Sequence, residues 1–203
     1  TDPDATFMRM KEDHMRNGQL KPASNPQIST ENQSITHTSI HQKTNDTNTL
    51  ETHLNGFEES YGKQSKEIVA DAGYGSEENY EMLEEKGVTG YVKYNYFHAE
   101  QTRKMKNNPF LVQNLFYNKE RDFYVCTMGQ RMENVGNGKR TSSNGYLSQV
   151  SYYEAKNCNG CPLRSMCHKA KGNRRIEVNH RLKELKERAR NLLTSDEGVK
   201  HRS

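Results

Sequence analysis

The chain has 203 residues, of which 31% are hydrophobic, and its mean hydropathy is −1.13. So little apolar material for this length argues against one large core and for a modest core with extended polar segments. A net charge of +4 and a pI near 8.8 are compatible with nucleic acid but do not require it, because such balances are common on solvated surfaces. No apolar run approaches the ~20 residues of a membrane helix. The opening Thr1-Asp2-Pro3-Asp4 is not a secretory signal, so a cytoplasmic protein with no membrane partner is expected. The missing initial methionine is what a piece of a longer reading frame would show.

In chain order, residues 1–26 read as a polar lead-in in which Phe7, Met8, Met10 and Met15 are the packing candidates. Residues 27–42 carry Ile28, Ile35 and Ile40 among Thr and Ser, which predicts a two-stranded hairpin anchored on those isoleucines. Asp46 or Thr47 can cap a helix to about Tyr61, with Leu50, Leu54, Phe57 and Tyr61 as its apolar stripe and Gly62 as its stop. A strand over 66–70 ends at Asp71. Ser76 caps a second helix that carries Glu77 and Glu78 in its first turn and ends at Gly87, and a strand over 88–94 follows. Strand, helix and strand at this spacing predict a parallel crossover. From 95 to 176 the pattern changes to a short helix near 98–106, short strands near 115–117, 123–126 and 146–153, and a flexible polar loop over 136–145. Residues 179–193 are strongly helical, with Leu182, Leu185, Ala189, Leu192 and Leu193 on one face. Tyr91, Tyr94, Tyr152 and Tyr153 read as strand-packing residues.

Four cysteines occur, at 126, 158, 161 and 167. Cys158 and Cys161 form a CxxC knuckle, which brings two sulfurs to one ion, and two short hairpins could bring Cys126 and Cys167 to the same point as a tetrahedral zinc site. Such a site would stabilise an insertion with little core of its own. His168 is the alternative fourth ligand. A redox CxxC, a disulfide pair and free thiols are the competing readings. Pro162-Leu163 after the pair is not the strand-to-helix context of a redox motif, and a reducing compartment argues against disulfides.

Asp71 follows the apolar run Ile68-Val69-Ala70 and precedes Ala72-Gly73-Tyr74-Gly75-Ser76. A carboxylate at the carboxyl end of a strand, beside a glycine turn, can reach a metal ion above the sheet. The competing reading is that Asp71 caps the helix beginning near Glu77. The stretch from Val69 to Tyr80 closely resembles the second-aspartate motif of bacterial insertion-sequence transposases of the DDE class. Asp2-Pro3-Asp4-Ala5, Ser24-Asn25-Pro26-Gln27, Asn45-Asp46 and Cys158-Asn159-Gly160-Cys161-Pro162-Leu163-Arg164-Ser165-Met166-Cys167 resemble further elements of that family, with Ser24 and Pro26 departing from its Tyr-Asn-x-Gln pattern.

The resemblance implies an α/β fold: a partial ribonuclease-H-like core over 27–94, a β-rich cysteine-containing insertion over 95–176, and a helix over 177–203 leading toward a glutamate segment. It implies metal-assisted cut-and-join phosphoryl transfer on DNA, with Mg2+ as cofactor, Asp71 as one of three carboxylates, and DNA and a homo-oligomer as partners. The family's first aspartate precedes the Asp-Pro-Asp-Ala element and its glutamate follows a sequence like Lys200-His201-Arg202-Ser203. Both are therefore expected to lie outside this chain, leaving it inactive alone, because one carboxylate cannot hold two ions. Asp46, Glu77 and Glu78 read as caps and dipole partners rather than replacements, and Asp2 and Asp4 as turn residues. A non-enzymatic, zinc-ribbon-like DNA-binding module is the alternative. For phosphate contact, Lys139, Arg140, Arg174 and Arg175 are the leading candidates. Arg103, Lys104, Lys106, Arg181, Lys183, Lys186, Arg188 and Arg190 come behind them, and those on the last helix equally suit a solvated face paired with Glu184 and Glu187.

Overall fold

The computed structural model of the chain describes residues 5–9 and 18–202. Asp2, Pro3, Asp4, Met10 and Met15 lie outside them. The chain divides into two compact units, Thr1–Asn95 with Arg188–Ser203, and Tyr96–Glu187.

The first unit is mixed α/β. Part of the expected lead-in forms a ribbon: β1 (Thr6–Arg9) pairs antiparallel with β2 (Leu20–Ala23). The expected hairpin is β3 (Asn25–Glu31) with β4 (Ser34–His41), turned at Asn32 and Gln33 with φ of 49° and 65°. Two consecutive positive φ values give the turn a twist that matches the strands. The isoleucines are not anchors, however: Ile28, Ile35 and Ile40 are all more than half exposed. Because side chains alternate along a strand, the register that faces Gln27 inward turns Ile28 outward. Gln27 is buried and hydrogen-bonded to the Tyr74 hydroxyl, while Ser39 bonds both His41 Nε2 (2.7 Å) and His53 Nδ1 (2.6 Å).

Asn45, not Asp46 or Thr47, caps the next segment, accepting from Thr47 N at 3.0 Å. A 3-10 turn over Asp46–Asn48 leads into α1 (Leu50–Tyr61), which buries Leu50, His53 and Leu54 and stops at the left-handed Gly62. The predicted crossover then forms: β5 (Glu67–Ala70), α2 (Glu77–Glu85) and β6 (Thr89–Val92), with β5 and β6 parallel, Glu67 opposite Thr89 and Ala70 opposite Val92. Ser76 caps α2 through a bond from Asn79 N at 3.1 Å. The β3–β4 hairpin and the β5–β6 pair are separate two-stranded sheets, so the ladder does not run on as one ribonuclease-H-like sheet.

Gly75 holds the β5–α2 connection against the chain beyond β6. A Cβ there would stand 2.3 Å from Lys93 O and 2.7 Å from Tyr94 Cα, both of them backbone atoms. Tyr80 donates to Val92 O at 3.1 Å from the same side.

The second unit is an antiparallel meander of β7 (Phe116–Asn118), β8 (Phe123–Val125), β9 (Arg131–Thr141), β10 (Leu147–Ala155) and β11 (Arg175–Val178). The expected flexible loop over 136–145 is largely strand, because β9 continues through Thr141. Gly136, at φ 143°, sits at the register shift opposite Tyr152 and Tyr153, so the glycine accommodates a β-bulge rather than ending the strand. The helical stretch near 98–106 is broken into α3 (Phe97–Glu100) and α4 (Arg103–Lys106), with Thr102 capping the second. A single turn, α5 (Arg164–Cys167), interrupts the chain before β11.

The core of this unit is Leu115, Tyr124, Met132, Tyr153, Ala155, Cys158, Ile176 and Val178. At its edge the Asp122 carboxylate accepts from Tyr117 (2.8 Å), Tyr153 (2.6 Å) and Asn134 (2.8 Å). Burial alone would raise the Asp122 pKa, but these hydrogen bonds outweigh it and hold the group below its ordinary value. Tyr153, its one proton given to Asp122, accepts from His180 Nε2 at 2.7 Å.

The last predicted helix is α6 (His180–Thr194), capped by Asn179, which accepts from Leu182 N at 2.8 Å; it crosses from the second unit into the first. In the first unit Arg190 donates to Tyr94 Oη at 3.0 Å and Arg188 pairs with Glu84. A short helix, α7 (Asp196–Arg202), follows, and Gly198 is pressed against Leu192 O.

Three outcomes are expected. Gly75→Ala forces the turn off the Lys93 backbone and costs about 1–3 kcal/mol, read by urea unfolding. Tyr153→Phe strands a partner of Asp122 and costs about 1–3 kcal/mol by the same measurement. Burial, and then the charges of His37 and His41, lower the His53 pKa below 6.5, so the unfolded chain binds its proton more readily. The stability contributed by that region is therefore complete above pH ~6.5 and lost as pH falls through the folded-state value. Thermal midpoints measured between pH 7.5 and 5.5 should fall less steeply in His53→Asn.

Candidate metal and nucleic-acid sites

The parallel pair β5–β6 delivers Asp71 to the carboxyl end of β5, the position expected from the sequence. There its Oδ1 accepts from Gly73 N at 2.8 Å, capping a 3-10 turn over Ala72–Tyr74. The cap is on this turn, not on α2, which Ser76 serves. The carboxylate is exposed rather than enclosed in a cleft.

A second carboxylate stands beside it. A Cβ on Gly73 would meet Asp71 Oδ1 at 3.0 Å and Asp46 Oδ2 at 3.3 Å, so the two acids flank one glycine. Asp46 Oδ1 is held by Asn25 Nδ2 (2.8 Å) and Gln27 Nε2 (3.4 Å), which anchors that acid to β3. Thr47 Oγ1 donates to Gly73 O at 2.7 Å, and Asn79 Nδ2 donates to Thr47 O and Tyr74 O, closing the 3-10 turns at Asp46 and at Asp71 onto each other. Burial first, and then Asp46 and Asp71, push the Tyr74 hydroxyl up to about 12. The arrangement is a pair of oxygen donors on a backbone without side-chain bulk. It fits a hard divalent cation such as Mg2+, which takes one or two carboxylates and keeps several waters. The sequence signal for Asp46 was its place in the Asn-Asp pair before α1; its approach to Asp71 depends on 3-10 turns 26 residues apart and could not be read from spacing.

Sequence reading also missed Glu67, Glu197 and His201, whose ligand atoms lie within 4.8 Å of one another. This exposed group sits at the amino end of β5, the far end from Asp71.

The four cysteines and His168 line a single pocket in the second unit, together with Arg164 and Arg174 and no carboxylate. Cys126 follows β8 in the β8–β9 turn, Cys158 and Cys161 follow β10, and Cys167 closes α5. Arg174 is 6% exposed. Its backbone N donates to Cys158 Sγ at 3.3 Å, its Nη1 to Cys167 Sγ at 3.2 Å, and its Nη2 to Phe110 O at 2.5 Å. Arg174 is therefore an internal cation and does not present itself to phosphate, a correction to its expected role. Among the other candidates, Lys139 is exposed, Arg175 is exposed and lies over the Tyr152 ring at 4.5 Å, and Arg140 is engaged with Glu177 through Nε (3.2 Å) and Nη2 (2.5 Å). The cations of α6 are largely committed: Lys183 lies over the Tyr117 and Tyr124 rings, and Arg188 and Arg190 hold Glu84 and Tyr94. No helix among the described residues is long and apolar enough to cross a membrane.

No curated protein and no solved structure matches the chain. The family model described as "Transposase DDE domain" matches residues 125–203, a stretch that holds all four cysteines, β9 to β11, α6 and α7, and begins after Asp71. Over residues 125–203 the chain is therefore similar to the DDE domain of transposases.

Proposed function

We propose that the chain serves metal-assisted phosphoryl transfer on DNA, as part of an insertion-sequence transposase whose core is ribonuclease-H-like, with Asp71 as a Mg2+ ligand. The observation that carries this reading is the exposed Asp71 carboxylate at the carboxyl end of a parallel strand, with Asp46 across Gly73. The family match over residues 125–203 supports the reaction class.

When bound, the cation would lower the pKa of a water or 3′-hydroxyl nucleophile and stabilise the leaving oxygen. Asp71 and Asp46 would supply its oxygens. Asn25 and Gln27 keep Asp46 turned toward Gly73, and Gly73 leaves no side chain between the two acids. Lys139, Arg175 and, less freely, Arg140 would meet phosphates without reading sequence. Two carboxylates fall short of a full catalytic set, so metal binding is expected here without strand transfer by this polypeptide alone. A second reading, DNA binding without cutting, rests on the exposed cations of β9 and β11.

The test is Mn2+ binding followed by electron paramagnetic resonance, with Fe2+-driven hydroxyl-radical cleavage of the polypeptide as the positional readout. Cleavage is expected near residues 46 and 71, and Asp71→Asn should weaken binding about tenfold or more. Equal affinity and an unchanged cleavage map in Asp71→Asn would remove the metal role. In parallel, duplex binding should weaken as salt rises, and Lys139→Ala should reduce the salt slope by about one. Binding that ignores salt would leave only the cation reading standing.

A further inference from the structure

We propose that Cys126, Cys158, Cys161 and Cys167 form a structural zinc site in which Arg174 is the internal counter-charge of the metal–thiolate cluster. This site lies wholly within the second unit and stands independently of the DNA-cutting reading.

The argument begins with charge. Two arginines line the pocket and no acidic side chain does. Arg164 spends its guanidinium on carbonyls, with Nη1 on Cys158 O (3.1 Å) and Nη2 on Lys171 O (2.5 Å), Ala170 O and Gly172 O (both 3.0 Å). Arg174 is buried, and its guanidinium donates to one carbonyl and one thiol. An internal guanidinium without an anion is costly, and the groups in the pocket able to become anions are the four thiols. Zinc bound by four thiolates carries a net charge of −2, which two guanidinium groups balance. Free neutral thiols leave both cations uncompensated.

Hydrogen bonding points the same way. Cys158 Sγ accepts from the backbone N of Arg174 and Cys167 Sγ from its side chain, the pattern that orients and stabilises thiolate ligands. Both ring nitrogens of His168 are shielded from solvent and find no partner among the described residues. A neutral imidazole must still place one N–H, and the cysteine sulfurs are among the acceptors lining this pocket.

The two loops are shaped for convergence. Gly129 N closes on Cys126 O at 2.8 Å with Gly129 at φ 80°, and Cys161 N closes on Cys158 O at 3.4 Å with Gly160 at φ 67°. Among the described residues no three of these sulfurs come within 4.8 Å of one another. Zinc binding therefore draws the turns at Cys126 and Cys158–Cys167 inward.

The full chain, purified under reducing conditions without chelator, should carry about one zinc per chain by elemental analysis. Its thiols should resist a maleimide until a chelator is added. Cobalt in place of zinc should give the intense charge-transfer and d–d bands of tetrahedral thiolate coordination, a readout that needs no variant. Cys161→Ser should lose the metal, whereas Asp71→Asn should keep it, which separates this site from the proposed cutting site. Arg174→Gln should give up its zinc at a lower concentration of competing chelator than the parent chain, because the cluster loses a guanidinium that donates to Cys167 Sγ. Metal-free protein whose four thiols react at once while folded would overturn the site. An octahedral cobalt spectrum would exclude the thiolates as ligands, and unchanged zinc retention against chelator in Arg174→Gln would remove the counter-charge role.

Discussion

The close approach of Gly75 to the backbone at Lys93 and Tyr94 is the constraint on which the first unit's functional geometry depends. Parallel strands need a crossover, and here the crossover leaves β5 through a 3-10 turn before α2 begins. That turn carries Asp71 at its first position and Gly75 at its end. With any side chain at 75, the turn must lift away from the chain beyond β6, and the hydrogen bonds that join it to Thr47, Asn79 and Gln27 lengthen together. The position of the Asp71 carboxylate is thus tied to the absence of a Cβ at Gly75, at the other end of the same turn.

The second unit depends on polar groups placed inside a small core. Asp122 collects three donors from β7, β9 and β10, and Arg174 collects a carbonyl and two sulfurs from the segments around the cysteines. Buried polar networks of this kind specify one arrangement when they are complete and weaken the fold when they are not. Asp122 is complete as it stands. The cysteine pocket gathers two arginines and four thiols with no carboxylate among them.

Much of the element sequence was legible because it rests on local chemistry. Gly62 and Gly87 are where helices stop, Ser76 and Asn179 are cap residues by type, and the β5–α2–β6 spacing admits only a crossover. The failures have equally specific causes. The glycines at 136 and 138 resemble loop residues, but one serves a bulge and the other lies against the Tyr152 ring, so β9 runs through them. Ile28, Ile35 and Ile40 had the right residue type for anchors and the wrong face, because Gln27 found partners in Tyr74 and Asp46 and a strand can bury only one of two adjacent side chains. Arg174 and Arg175 are neighbours with opposite fates: Arg174, just before β11, is buried against the cysteines, and Arg175, the first residue of β11, is exposed.

By itself, the sequence determined the chemical types and their local setting: an aspartate at a strand end before a glycine turn, a CxxC with two further cysteines, and helices with defined stops. These follow from dihedral preferences and periodicity, which act over a few residues. Only the tertiary structure decided that Asp46 stands beside Asp71, that Arg174 points at sulfur rather than at phosphate, and that the four cysteines share one pocket. Each of these brings together residues from segments distant in sequence, such as Asp46 with Asp71 and Cys126 with Cys158. Such pairings are set by which faces are buried and which polar groups remain to be satisfied, and no local pattern encodes that outcome.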